Sequence, residues 1–341
     1  MSSFFGELGQ VSEFECHDRA DFSNDVLKSN TPMVLRGFAR QWPAVSIAER
    51  SDADFHQYLR SQALETEVIV FSYNENNNGN LAYTKDLSAY AFQSSKVPFT
   101  TALDDIFSAR NNDSSKHYCG SVPVSGCLSE FKKDHAVSFL DSTIEPRIWL
   151  GNASKVSAHY DVSDNIACVV SGSRKFTLIP PDQISNLYVG PIDFNLAGRP
   201  ASLVDLDQPD LKKYPRIKEA LSVGLQTQLY PGDAIFIPTL WWHQVESIGD
   251  FNCLVNYWWS KTNNNASEAY EALIHGLLTI SGMPEAQRMQ WRSFYDHYVF
   301  RLNGDPAEHI PEHKRGVLGN RTPEINKKIK QFLFRSMSSK H

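Results

Sequence analysis

The sequence predicts a mainly β protein with flanking helices, in which a sandwich or barrel is followed by a carboxy-terminal helical extension. Three observations carry that expectation. From residue 117 to about 260, short β-type runs are separated by Gly, Pro, Asn and Asp, as in all-β folds with many short strands. Before residue 117, helical and strand signals alternate. After residue 263, apolar residues recur at helical spacing only. The chain is therefore divided into an α/β segment packing on the barrel (1–116), the β core (117–262) and the helical extension (263–341).

In the first segment, Asp21 to Ser29 is expected to be helical, and Met33-Val34-Leu35 after Pro32 to be a short strand. Ser51, with Asp54 three residues on, opens a helix reaching Ala63, with Phe55, Tyr58 and Leu59 on one face. Val68 to Tyr73 alternates as a strand. The Asn-rich run from Asn74 to Asn80 carries nothing to bury and is a loop. Thr101 with Asp104 opens another short helix, bearing Leu103, Ile106 and Phe107.

In the core the clearest strands are 148–150, 166–170, 175–179, 234–237 and 253–259, and the excursion from Pro181 to Thr227 reads as an insertion. In the extension, Tyr270, Leu273, Ile274, Leu277 and Leu278 form one apolar stripe, ending at Gly282. Pro284 opens a second helix with Trp291, Phe294, Tyr295, Tyr298, Val299 and Leu302; Thr322-Pro323 opens a third with Ile325, Ile329, Phe332 and Leu333. These stripes must be covered, either by their own barrel or by a second subunit.

Composition excludes several classes. Lys and Arg number 33 against 39 Asp and Glu, a net charge of −6, and no basic block stands out. A nucleic-acid backbone is therefore disfavoured as the main partner. The five cysteines are scattered without a Cys-x-x-Cys pair, as expected for reduced thiols of a cytoplasmic protein. The first thirty residues hold no signal-peptide core, and no apolar run approaches membrane-spanning length.

The chemistry centres on His159-Tyr160-Asp161. On a strand, residues two apart share a face, so His159 and Asp161 point together while Tyr160 points away. His243, far downstream after Trp241-Trp242, supplies a second imidazole from another strand. Two imidazoles and a carboxylate on one face of a metal leave the opposite positions open, and they suit Fe(II), Mn(II) or Zn(II). Trp241, Trp242, Trp258 and Trp259 are read as core and rim packing.

The surrounding residues give the pair its weight. Asp164-Asn165, the stretch from Gly172 through Arg174-Lys175 to Pro180-Pro181, the run from Pro231-Gly232-Asp233 to Pro238, and Asn256-Tyr257-Trp258 follow in order, with Arg36-Gly37-Phe38 upstream. Together they resemble the JmjC and cupin-like Fe(II)/2-oxoglutarate-dependent oxygenases, a family that includes an asparaginyl hydroxylase and bacterial cupin-like proteins of unassigned substrate. The resemblance implies a double-stranded β-helix, a jelly roll of the cupin/JmjC type, with iron on His159, Asp161 and His243. It implies 2-oxoglutarate as cosubstrate, chelating through its 2-oxo acid end, and dioxygen as co-reactant. The distal carboxylate should meet a basic side chain and a tyrosine hydroxyl. Where the family carries its lysine stands Arg174, with Lys175 next. Alternation sends these two to opposite faces, and Arg174 is favoured by position. Tyr118 matches the family's cosubstrate tyrosine, and Asn165 and Asn256 match two pocket asparagines. A threonine used by some relatives is replaced by Val156.

The expected activity is hydroxylation of a protein or peptide side chain, or of a small molecule, with succinate and carbon dioxide as co-products. The alternative is a metal-binding cupin-like sensor or interaction module without oxygenase activity. A hydrolytic or isomerising zinc enzyme is a weaker rival. The family often pairs subunits through appended helices, so a homodimer through the carboxy-terminal helices is expected.

Overall fold

Two long strands, Asp164–Ile179 and Trp242–Trp259, organise the β unit by running side by side through both halves of one bent, thirteen-stranded sheet. The computed structural model describes residues 8–15, 22, 26–74, 79–84, 86–110, 115–137, 139–194, 199–260, 267–320 and 322–338. The chain forms two units, residues 1–266 and 267–341. Among the described residues of the first lie thirteen strands. These are β1 (Gly9–Gln10), β2 (Ser12–Phe14), β3 (Met33–Leu35), β4 (Glu67–Tyr73), β5 (Asn80–Leu81), β6 (Gln93–Pro98) and β7 (Lys116–Pro123). They continue as β8 (Arg147–Gly151), β9 (Ser154–His159), β10 (Asp164–Ile179), β11 (Leu225–Leu229), β12 (Ala234–Ile237) and β13 (Trp242–Trp259).

The first half of β10 pairs with β12 and with the last part of β13, from Asn165↔Trp258 to Val169↔Leu254. Its second half pairs with β11 and the first part of β13, from Ser173↔Ile248 to Ile179↔Trp242. Register shifts at Ser171 and Ser173 mark the bend between the halves. Gly172 makes that bend possible. Its φ is +72°, and a Cβ there would lie 2.1 Å from the Asn252 Oδ1 atom. The first halves extend through β3 and β2 on one side and through β8, β7, β4 and β6 on the other. The second halves extend through β11 and β1, and through β9 and β5.

Side-chain alternation shows that the halves face each other. Ala167, Val169, Ile235, Ile237 and Leu254 from one half share a buried cluster with Phe176, Leu178 and Leu229 from the other. The opposite faces of the first half, carrying Ile166, Cys168, Val170, Phe236 and Val255, join a second cluster with Phe55, Leu59, Phe99, Leu103 and Ile106. Those last residues lie on helices Asp52–Gln62 and Phe99–Ala109. Each fully buried Phe, Leu or Ile contributes about 1.5–3 kcal/mol. The result is a double-stranded β-helix with helices over one face.

Most expected elements are present, and the exceptions have local causes. Ser51 caps its helix by accepting from the Asp54 N–H at 3.0 Å. The next helix starts at Phe99 rather than Thr101, directly behind Pro98. The expected strands 166–170 and 175–179 are one strand, because Gly172-Ser173 bends the chain without ending it. The excursion after Pro181 returns to the sheet at Leu225, so its end is strand β11. Of the helix expected over Asp21–Ser29, residues 21 and 23–25 lie outside the described residues, while Phe22 and Val26 belong to a π-helical turn in which the Leu27 N–H donates to the Phe22 carbonyl at 2.9 Å. Residues 75–78 of the Asn74–Asn80 loop also lie outside the described residues.

The Arg36-Gly37 pair and the Pro231-Gly232-Asp233 turn clip the amino-terminal strand to the barrel. The Asp233 carboxylate accepts from the Arg36 Nη1 at 2.7 Å, the Gly37 N–H at 3.0 Å and the Tyr230 N–H at 3.2 Å. In the second unit, helices Ser267–Thr279, Glu285–Tyr298 and Pro323–Ser338 correspond to the three expected stripes. No described helix is long and apolar enough to cross a membrane.

Replacing Asp233 with Ala strands two amide donors and removes one of the two carboxylates on Arg36, which keeps Glu13. It should cost about 2 kcal/mol, read as a lower denaturation midpoint with unchanged slope. An unchanged midpoint would contradict the role given to this clip.

Candidate metal centre

The end of β9 supplies His159, the turn after it supplies Asp161, and the start of β13 supplies His243. His159 and His243 are direct cross-strand partners, with ring centroids 4.4 Å apart. The turn of Pro238, Thr239 and Leu240 ties the two ligand segments together. The Leu240 N–H donates to the Asp161 carbonyl at 2.8 Å, and the Thr239 N–H donates to the Asp164 carboxylate at 3.0 Å. Leu240 adopts φ +66°, a left-handed conformation held only where surrounding contacts fix it.

One ligand atom from each of His159, Asp161 and His243 lies within 4.8 Å of the others, the one such group among the described residues. Both imidazoles are oriented for metal binding. His159 Nδ1 donates to the Ser157 carbonyl at 2.8 Å, and His243 Nδ1 donates to the Trp241 carbonyl at 2.9 Å. Each Nε2 is thereby left as a lone-pair donor. Burial, and then His159 beside it, push the His243 pKa down to about 4, against a smaller upward pull from Asp161. His243 is therefore neutral at pH 7. Its 3.6 Å approach to the Asp161 Oδ2 is the spacing of two ligands rather than an ion pair. The donor set fits a divalent first-row metal with open positions.

Deeper in the barrel, alternation along β10 separates the two basic candidates. Lys175 points out of the barrel, where its ammonium meets the Asp207 carboxylate at 2.6 Å and Glu246 at 3.6 Å. Lys175 is thus spent on the outer face and does not reach the cavity. Arg174 points in and is 2% exposed. Its side chain makes no ion pair and no hydrogen bond among the described residues. Burial pulls its pKa down, opposed by nearby Tyr118, Cys253 and Tyr73. A buried cation left unpaired costs several kcal/mol, so this pocket calls for an anion.

Tyr118 is buried beside Arg174, in a cluster with Tyr73, Leu81 and Val156. Asn165 and Asn256 are hydrogen-bonded to one another, Nδ2 of Asn256 donating to Oδ1 of Asn165 at 3.0 Å. The Trp149 indole N–H donates to the remaining Asn256 oxygen at 2.7 Å. Asn256 is thus held by side chains, and it fixes the Asn165 amide by its oxygen.

Three of the four tryptophans pack as expected. Trp242 sits edge-on to Tyr160, Trp241 is anchored to the Asn30 carbonyl, and Trp259 stacks on Phe236. Trp258 differs. Its indole N–H donates to the Asp161 Oδ2 at 3.1 Å, which steadies the carboxylate ligand. Alternation from Asn256 to Trp258 carried the signal, since both share the cavity face of β13. Tyr73, whose hydroxyl donates to the Ala153 carbonyl, was not anticipated beside Arg174 either, because a strand tyrosine carries no motif.

The cupin-like domain family model matches residues 19–265. The chain is 30% identical over 283 residues to the lysine-specific demethylase JMJ31 of Arabidopsis thaliana, covering 74% of this chain and 50% of that protein. It is 25% identical over 329 residues to the tRNA wybutosine-synthesizing protein 5 of Gallus gallus, covering 84% of this chain and 92% of that protein. A third relative, Jumonji C domain-containing protein 5 of Drosophila melanogaster, is 35% identical over 117 residues, 34% of this chain and 28% of that protein. The chain therefore spans about half the length of the plant relative and most of the length of the avian one. The match from residue 19 to 265, covering β3 to β13, and the His–Asp–His set place this chain in the cupin-like domain family, among relatives of JmjC type.

Proposed function

We propose that the chain is an Fe(II)- and 2-oxoglutarate-dependent dioxygenase that hydroxylates a protein or peptide side chain. The observation that carries this reading is Arg174, a buried cation without a carboxylate partner, in the barrel that carries a His–Asp–His set. A metal-binding sensor needs the three ligands but has no use for an unpaired guanidinium behind them. His159, Asp161 and His243 would hold the iron. Arg174 would bind the distal carboxylate of 2-oxoglutarate through two parallel N–H bonds, with the Tyr118 hydroxyl beside it. The Asn165 amide, set by Asn256, would reach the carboxylate at the metal end.

With both bound, iron and 2-oxoglutarate supply oxidative decarboxylation by dioxygen to succinate and carbon dioxide, coupled to oxidation of a substrate C–H bond. The protein's part is placement. Trp258 fixes the Asp161 carboxylate, the two backbone carbonyls fix the imidazole tautomers, and the apolar cluster of Phe176, Leu178, Ile235 and Leu254 closes the barrel floor to water.

The names of the relatives point to both protein and RNA substrates. A net charge of −6 without a basic block favours the protein substrate here, with a small molecule next. The exposed apolar stripes, with Leu278 at 75% and Phe332 at 70% exposure, support a homodimer through the carboxy-terminal helices. The four described cysteines are buried and unpaired, which supports a reducing, cytoplasmic setting.

His159→Ala or Asp161→Ala should abolish iron-dependent 2-oxoglutarate decarboxylation, and full turnover by either variant with added iron would overturn the assignment. Arg174→Met should raise the 2-oxoglutarate KM by about 10-fold or more, with Arg174→Lys between the two; an unchanged KM would remove the role given to Arg174. Light scattering on the intact chain should give a dimer mass, and a monomer would refute the pairing.

A further inference from the structure

Arg147 opens β8 at the metal end of the barrel. The face it occupies is settled by alternation. Ile148 and Leu150 enter the outer cluster, while Trp149 joins the rings that surround the cavity. Arg147 shares the Trp149 face and pairs across the sheet with Asn256. Its guanidinium carbon lies 5.8 Å from the centre of the Trp258 ring. That same indole donates to the metal ligand Asp161. Arg147 is thus one ring removed from the metal ligands.

The residue is also held in place. A register shift in β7 between Cys119 and Val122 bulges the chain opposite Trp149. Within the bulge Ser121 takes φ +57°, a conformation that residues other than glycine rarely adopt. The carbonyl and hydroxyl oxygens of Ser121 lie 2.7 and 3.3 Å from Arg147 Nη1. Nε and Nη2 make no hydrogen bond among the described residues. A bulge and a strained serine therefore hold one arm of the guanidinium and leave the other donors open.

The barrel strands carry six basic residues. Lys96 is paired with Glu67, Lys155 with Asp205 and Asp207, and Lys175 with Asp207 and Glu246. Lys116 is bonded to the Ala109 carbonyl. Arg174 and Arg147 make no ion pair among the described residues, and both face the cavity. In the reading above, Arg174 takes the cosubstrate, which leaves Arg147 for something else.

We propose that Arg147 is a specificity-determining residue that binds an acidic side chain of a peptide substrate, next to the residue being oxidised. This rests on the oxygenase reading. An open guanidinium edge matches a carboxylate bidentately. A single guanidinium beside the Trp258 ring suits one carboxylate, whereas a nucleic-acid backbone presents successive phosphates and binds through many cations. A rim position, outside the metal ligands, suits a neighbour of the reacting residue in a polypeptide.

The test is selection of a random-peptide display library on the immobilised full chain loaded with Mn(II) and 2-oxoglutarate. The wild type should enrich Asp and Glu at one fixed position by about tenfold. Arg147→Met should lose that enrichment, and Arg147→Lys, which keeps charge but not the fork, should retain part of it. No acid enrichment by the wild type would overturn the proposal however the variants fold. So would equal enrichment by a folded Arg147→Met protein, or Arg147-dependent binding of an oligouridylate in preference to the peptides. Decarboxylation of 2-oxoglutarate by the iron-loaded wild type is followed in parallel. Its absence would overturn the oxygenase reading, while the peptide result reports on Arg147 separately.

Discussion

The pairing of His159 with His243 across β9 and β13 is the constraint on which the site depends. It places one imidazole on each of two neighbouring strands, at one end of the barrel, with both Nε2 atoms free. Asp161 then needs only the turn that follows β9. The Leu240 N–H fixes that turn by bonding to the Asp161 carbonyl. The pairing itself exists because β13 continues past its bend. Gly172 is central to the bend, since no Cβ fits against Asn252 at that point. A glycine in the middle of a strand is thus as much a part of the metal centre as the histidines.

Charge is sorted by the same alternation that sorts the core. Lys155 and Lys175 meet Asp205, Asp207 and Glu246 on the outside of the second half of the sheet, where partly exposed pairs form at little net cost. Inside, Arg174 has aromatic and thiol neighbours but no counter-ion. In a folded protein such a group is tolerated when a ligand completes it. The barrel therefore has a metal set near its mouth and an anion-seeking cation deeper in, an arrangement matched to a chelating acid with a second carboxylate.

Much of this was legible in the sequence, because the governing periodicities are local. The His-x-Asp spacing at a strand end, the Ser51 cap and the stripes after residue 267 each report their own geometry. Period-two alternation also showed that only one of Arg174 and Lys175 can point inward, and the family resemblance favoured Arg174 by position. What was not legible depended on distant partners. The long strands read as broken because Gly172-Ser173 looks like a stop, when Asn252, eighty residues on, makes it a bend. Trp258 read as packing because alternation with Asn256 places it on the cavity face but does not reveal its bond to Asp161. Arg147 was invisible for the same reason, since a lone arginine gains meaning only from a bulge in β7 and a ring in β13.

The most direct measurement is anaerobic addition of Fe(II) and then 2-oxoglutarate to the purified chain, followed by visible absorption. Bidentate binding of the 2-oxo acid to iron held by His159, Asp161 and His243 predicts a charge-transfer band that appears only with both components and saturates at one equivalent of each. The absence of that band in a folded, iron-binding protein would contradict the oxygenase reading and favour a metal-binding module of the same fold.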